Sequence, residues 1–310
     1  MIVCCGEALI DFMPVKTSEG ADAFQPFNGG SIYNVAIGLG RLGTRASFLG
    51  GLSKDMFGTM LSRELKNSHV DTSLVIESAH PSTLAFVRFV DGQPEYTFID
   101  EGSAGRMISS DQLPVLDNAD LLHFGSISLI HDPAASFYEA LAKREKNRCL
   151  ISLDPNIRPS LIADRQAHVA RLGRMIAVAD IIKVSDEDLD WLSPGESPKD
   201  WAGARLDNGA FLVVVTSGQN GSVAYGQDFE LTCPVEKVGV VDTVGAGDAF
   251  MAGLLASLDN QNVLTRDNLA DGGKMAAETA IRQASHIAAL TVSRAGANPP
   301  RADEILGLFD

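Results

Sequence analysis

Asp242-Thr243-Val244-Gly245-Ala246-Gly247-Asp248-Ala249-Phe250 is the stretch on which the reading of this chain turns. Gly-Ala-Gly removes side-chain bulk, so bare backbone N–H groups can approach a ligand closely. Phe250, Met251, Leu254, Leu255 and Leu258 follow at helical spacing, which predicts that the loop opens a helix. Unpaired N–H groups and the positive end of a helix dipole then face outward together and make an anion site. Asp248 stands inside that nest. An acid in a first turn can simply answer the dipole. Beside donors that hold a moving phosphoryl group, it can also orient the attacking hydroxyl.

Along most of the chain around this stretch, apolar runs alternate with helical patterns. Strands are predicted at about 2–6, 46–52, 120–125, 149–153, 180–184 and 211–216, with shorter ones near 222–226 and 229–235. Helices are predicted at about 31–42, 56–67, 133–146, 166–178, 198–207, 248–258 and 272–292. Runs such as Phe211-Leu212-Val213-Val214-Val215 are continuously apolar, as strands covered on both faces must be. The alternation predicts an α/β fold, a doubly wound, largely parallel sheet flanked by helices. Residues 12–28 show no periodic segment. Residues 83–99 read as a hairpin around Asp91-Gly92. The expectation is one α/β domain over 1–310, with lid segments at about 12–28 and 83–106 inserted in it.

In the hairpin, Leu84, Phe86, Arg88 and Val90 alternate with Thr83, Ala85, Val87 and Phe89. One face is expected to cover the ligand. The other is also apolar, and the face carrying Val87 and Phe89 is expected to meet a second copy, giving a homodimer through the lid.

The formal charge of −15 disfavours nucleic acid and anionic membrane as partners. No apolar run approaches the roughly 18 residues that a membrane span needs, and Met1 to Glu7 carry no basic leader. Cys4, Cys5, Cys149 and Cys233 show no disulfide or zinc spacing, which reads as a reduced, cytoplasmic protein. Gly38-Leu39-Gly40-Arg41-Leu42-Gly43 fits a dinucleotide fingerprint, but Thr44 and Arg45 alone separate it from the next strand. No helix fits there to receive a pyrophosphate, which sets a nicotinamide oxidoreductase aside.

Asp242 to Asp248 resembles the C-terminal signature of the ribokinase-like (PfkB) carbohydrate kinases, and the likeness extends from residue 3 to about 305. It implies an ATP- and Mg²⁺-dependent kinase for a primary hydroxyl of a small sugar. Asp248 would be the base, and the backbone of Gly245, Ala246, Gly247 and Asp248 the anion hole. Fructose is the first expectation; 2-keto-3-deoxygluconate kinase and ribokinase are alternatives, and a non-catalytic sugar or nucleotide sensor on this fold is a different class.

The same resemblance assigns further residues. Asn28-Gly29-Gly30-Ser31-Ile32-Tyr33-Asn34 resembles the N-terminal motif, with Gly30 and Asn34 toward the sugar; its bland reading is a turn capped by Ser31. Asp11, a turn residue or a diol acceptor, and Arg158, a surface charge or an oxyanion fork, complete the sugar set. Lys183-Val184-Ser185-Asp186-Glu187-Asp188 aligns with the Asn-x-x-Glu segment, Ser185 standing for Asn and Asp188 for Glu. Asp188 or Glu187 would hold Mg²⁺ through water, and Lys183 and Ser185 would serve the nucleotide; a solvated acidic helix start is the other reading. Thr216, Gly218 and Gly221 resemble the nucleotide loop. Asp242 and Thr243 match a position for K⁺, or form a structural turn.

Overall fold

The computed structural model describes residues 1–90 and 93–306, with the side chains of residues 89, 90, 93 and 94 left out. The strands are β1 (Ile2–Cys5), β2 (Leu9–Lys16), β3 (Asp22–Gly29), β4 (Ala46–Leu49), β5 (Gly51–Ser53), β6 (Ile76–Ser78), β7 (Thr83–Val90) and β8 (Gln93–Ile99). They continue with β9 (Leu121–Gly125), β10 (Leu150–Asp154), β11 (Ile181–Ser185), β12 (Leu212–Thr216), β13 (Ser222–Gly226) and β14 (Phe229–Cys233). The helices are α1 (Ser31–Arg41), α2 (Met56–Asn67), α3 (Ala134–Glu145), α4 (Arg165–Ile176), α5 (Asp186–Leu192), α6 (Pro198–Leu206), α7 (Ala246–Asn260) and α8 (Arg266–Val292).

The main sheet runs β14-β13-β12-β11-β10-β9-β1-β4. Its six strands from β4 to β12 are parallel, and β13 and β14 return antiparallel. Alternate residues of each strand enter two cores, as the period of two requires. Ile2, Leu121, Leu150, Ile181 and Val214 meet α1, α7 and α8; Val3, Leu122, Ile151, Ile182 and Val213 meet α3, α4 and α6. This is the doubly wound α/β fold expected from the alternation. Gly38 belongs to the packing of this layer, since a Cβ there would reach Ala252 of α7 at 2.6 Å. Among the described residues no helix is long and apolar enough to cross a membrane. All four cysteines are buried thiols.

A second sheet, ordered β3-β2-β7-β8, departs from the expectation for residues 12–28. That segment is paired: β2 and β3 run antiparallel from Leu9↔Gly29 to Lys16↔Asp22. Pro14 and Pro26 hide it, because proline lowers any strand reading. Here Pro26 lies on the edge strand, and Pro14 lies past the β2–β7 ladder, which ends at Phe12↔Phe86. The hairpin of β7 and β8 forms with Leu84↔Ile99 to Val90↔Gln93 in register. Its Asp91-Gly92 turn lies outside the described residues.

The faces of that hairpin are the reverse of the expectation. Asp11, Ala85 and Phe98 are register neighbours, so they share one face. Val87 falls on it too and is 1% exposed within its own chain. The other face carries Phe12 and Phe86, stacked at 4.7 Å, with Phe12 edge-on to Phe57 of α2. Phe24 and Ile99 on this face stay about half exposed. Val87 is therefore not an exposed apolar side chain, whereas Phe24 and Ile99 on one face, and Phe27 and Tyr96 on the other, are.

Candidate active site

Strand ends, two helix starts and the second sheet enclose a cavity of about 480 Å³. Its wall includes Asp11, Tyr96 and Phe98 from the second sheet, Gly30, Ser31 and Asn34 at the start of α1, and Thr243 to Asp248 at the start of α7. Ser126, Asn156, Arg158, Lys183 and Glu187 arrive from the carboxyl edge of the parallel strands. That edge is where a doubly wound sheet leaves room for ligands.

Asp248 lies in the first turn of α7 and is 8% exposed. Three side chains donate to its carboxylate: Ser31 Oγ to Oδ1 at 2.6 Å, Asn34 Nδ2 to Oδ2 at 2.9 Å and Asn156 Nδ2 to Oδ1 at 3.4 Å. Asn156 also donates to Ser31 Oγ at 2.7 Å. The carboxylate is thus held from one neighbouring helix, α1, and one strand end, that of β10. Gly245 caps α7 with φ +77°, a left-handed backbone, and a Cβ there would meet Ala297 at 2.6 Å. No side chain caps this helix; the Ala246 N–H turns back to the Thr243 carbonyl at 3.3 Å, and the N–H groups of Gly247 and Asp248 are the ones turned toward a ligand.

Asp11 faces the cavity. Burial, with the charge of Asp248 adding to it and Arg158 opposing, pushes its carboxyl up to about 6. Glu7 was missed by the sequence reading. It is 6% exposed, its Oε1 accepts from Ile32 N–H at 3.3 Å, and burial pushes it up to about 7. It thereby satisfies a donor in the first turn of α1, where Gly30 offers no side-chain cap. Ser31, read as a possible N-cap, points to Asp248 instead.

Arg158 donates to Asn156 Oδ1 at 2.6 Å and is a wall residue. Lys183 is buried against Asp154 at 2.8 Å. Of the two acids considered for a cation, Glu187 lines the cavity, whereas Asp188 Oδ1 accepts from Ile157 N–H at 2.8 Å. Ser185 caps α5 by accepting from Asp188 N–H. Thr216, Gly218 and Gly221 lie at the neighbouring strand end and are not on this cavity's wall. Asp242 accepts from Val244 N–H and Gly296 N–H, tying the loop to the segment after α8; Thr243 does line the cavity.

Comparison with known proteins gives the same picture. The chain is 51% identical over 271 residues to a fructokinase of Rhizobium leguminosarum bv. trifolii, covering 87% of this chain and 83% of that one. Its structure is similar to that of an ATP-bound fructokinase from Xylella fastidiosa, with a TM-score of 0.90, 29% identity and coverage of 99% and 97%. A fructokinase from Vibrio cholerae O395 with fructose, ADP and calcium bound gives 0.86, 27% identity and coverage of 100% and 98%. Residues 1–304 match the model of the pfkB family carbohydrate kinases, and the chain belongs to that family of sugar kinases.

Proposed function

We propose that this chain transfers the γ-phosphoryl group of Mg²⁺-ATP to a primary hydroxyl of fructose. The observation that carries the reading is the carboxylate of Asp248, held by Ser31, Asn34 and Asn156 beside an uncapped helix start in a cavity of sugar size. The names of the similar proteins supply the sugar. In this reading Asp248 aligns the hydroxyl and takes its proton as the new O–P bond forms. The bond to the leaving ADP breaks, and the N–H groups of Gly245 to Asp248 receive the phosphoryl charge. Asp11 and Gly30 hold the sugar, and Arg158 faces the transferring group. Asn34 serves the sugar side while fixing Asp248.

ATP would enter from the side of Thr216, Gly218 and Gly221, with Ser185 at the turn. Glu187 is the acid whose placement on the wall fits a water-coordinated Mg²⁺; the bond from Ile157 leaves Asp188 a structural task. Mg²⁺ would draw charge from the phosphates when bound. Asp242 and Thr243 would hold K⁺ through oxygen atoms, if the enzyme uses it. The second sheet would act as a lid, in a cytoplasmic enzyme. Two copies would pair through Phe24 and Ile99, since exposed apolar patches mark interfaces. Light scattering is expected to give twice the 32.9 kDa chain mass, falling to the single mass in Phe24→Asp/Ile99→Asp. A single mass for the unaltered protein would rule the pair out.

Nucleotide binding tests the reading without turnover. At 100-fold excess over its Kd, a ligand of the folded state adds about 2.7 kcal/mol, which is roughly 4 °C of thermal midpoint for a chain of this length. ATP is expected to give that shift with Mg²⁺ and much less without it. An equal shift by NADH would overturn the kinase reading.

The raised Asp11 carboxyl sets a pH dependence. A carboxylate accepts from two hydroxyls, and a carboxylic acid gives up part of that capacity. Its ionised form is present above about 6 and lost as pH falls through that value. The KM for fructose is therefore expected to rise below pH 6, with kcat less affected. In Asp11→Asn the KM should be high and flat from pH 5 to 8; an unaltered acid limb there would remove Asp11 from the sugar set.

A further inference from the structure

Lys183 occupies a position where the pattern of its strand calls for an apolar side chain. It alternates in β11 with Ile182 and Val184, so it points with Ile181 into the layer of α1, α7 and α8. Its side chain is 5% exposed, and Nζ bonds Asp154 Oδ2 at 2.8 Å. Asp154 is 1% exposed, and its Oδ1 has no hydrogen-bond partner among the described residues. The ammonium lies directly beneath the anion-binding turn, because a Cβ on Gly247 would come within 3.2 Å of Nζ. Nζ also shares the cavity wall with Asp248. Two residues beyond Asp154, Asn156 donates to Asp248 and Ser31. One strand end therefore supports both the base and the cation.

We propose that Asp154 is the positioning residue of the phosphoryl site: it holds Lys183 as a charged group against Gly247, where the ammonium and the N–H groups of 245–248 share the phosphoryl charge. The inference rests on the kinase reading given above. The charged and titratable groups around Nζ come from every packed element. They are Asp154 of β10, Asp188 of α5, Asp248 of α7 and His123 of β9. Burial acts to neutralise the ammonium. The three carboxylates outweigh it and keep the Lys183 ammonium above its ordinary range, Asp154 contributing most. His123 is held down to about 3 by burial and by Lys183 itself, so it adds no second cation there. Gly247 fits the same contact, since even a Cβ there would press on the ammonium at 3.2 Å.

A pair that only supports folding would lose activity equally at every pH. The positioning role gives a different signature in Asp154→Asn. With its nearest counter-charge gone, burial favours the neutral amine, and Lys183 begins to titrate at accessible pH. At pH 8 kcat is expected to fall roughly 10- to 100-fold, with the KM for fructose changed less than about threefold. Activity should recover as pH is lowered toward 6.5, while Lys183→Met stays low throughout. Nitrogen NMR of labelled lysine side chains gives a readout independent of turnover. The resonance missing in Lys183→Met should titrate with a midpoint of about 7 or lower in Asp154→Asn, as the loss at pH 8 requires, and remain an ammonium in the unaltered protein. If it does so while no sugar releases ADP, the kinase reading fails and the pairing stands. Unaltered kcat and pH profile in Asp154→Asn, or an equal loss at all pH, would overturn the proposal. Should that variant not fold, Asp154→Glu keeps the charge but moves it by one methylene. A lowered kcat with an unshifted pH profile is then expected, and an unaltered kcat would count against the proposal.

Discussion

Asp248→Asn is expected to lower kcat by roughly 10²- to 10⁴-fold, the range that one general base contributes. The substitution keeps the shape of the side chain. Ser31 Oγ can rotate to accept where it now donates, and Asn34 Nδ2 can still reach the remaining amide oxygen. What disappears is the proton acceptor and the charge that the Ser31, Asn34 and Asn156 donors hold in place. The sugar KM should change little, because the hydroxyl loses its partner mainly as the transition state forms. Steady-state kinetics with a thermal-midpoint control reads this directly. A loss of less than tenfold in a folded variant would remove Asp248 from the role of base.

Gly245→Val is expected to cost both stability and rate. The backbone there has φ +77°, which a β-branched residue reaches only with strain of about 1–3 kcal/mol. The added Cβ also collides with Ala297, whose Cβ lies 2.6 Å from that position. Relief requires the turn before α7 to shift, and the N–H groups of Gly247 and Asp248 shift with it. A displacement of about 1 Å in a catalytic array costs on the order of 10²-fold in rate. A midpoint lowered by roughly 3–8 °C should accompany it. A variant with unaltered rate and midpoint would show that the left-handed cap is not what shapes the anion hole.

The parts of the fold that sequence made legible are those with one dominant signal. Leu212 to Val215 is apolar on both faces because helices cover both faces, and Ile181-Ile182 begins its strand in the same way. The turn before α7 was legible because Gly245 and Gly247 answer separate backbone needs within three residues. The paired segment Leu9 to Gly29 was not, since two prolines and an exposed edge erase the alternation that marks a strand. α5, only seven residues long, was too short for a helical period to emerge.

The site shows the same division. Asp248, Asp11, Gly30, Arg158 and Glu187, singled out by separate motifs, all line one cavity. The bond of the Asn34 amide to Asp248, across 214 positions of chain, was not legible, because a motif names a residue and not its partner. Asp188 and Glu187 could not be separated either, since adjacent residues on a short helix point differently only once its N-cap at Ser185 is fixed. Glu7, Ser31 and Asp154 act through contacts between distant segments, and composition carries no trace of those.

The central assignment is tested most directly by ADP release from Mg²⁺-ATP, measured with fructose, 2-keto-3-deoxygluconate, ribose, tagatose and adenosine in parallel. The expected result is release that depends on sugar, fastest with fructose, at a kcat of about 1–100 s⁻¹ and at least about 100-fold slower in Asp248→Asn. The product should carry its phosphate on a primary hydroxyl. ADP release that no sugar accelerates, or that falls less than about tenfold in Asp248→Asn, would contradict the assignment.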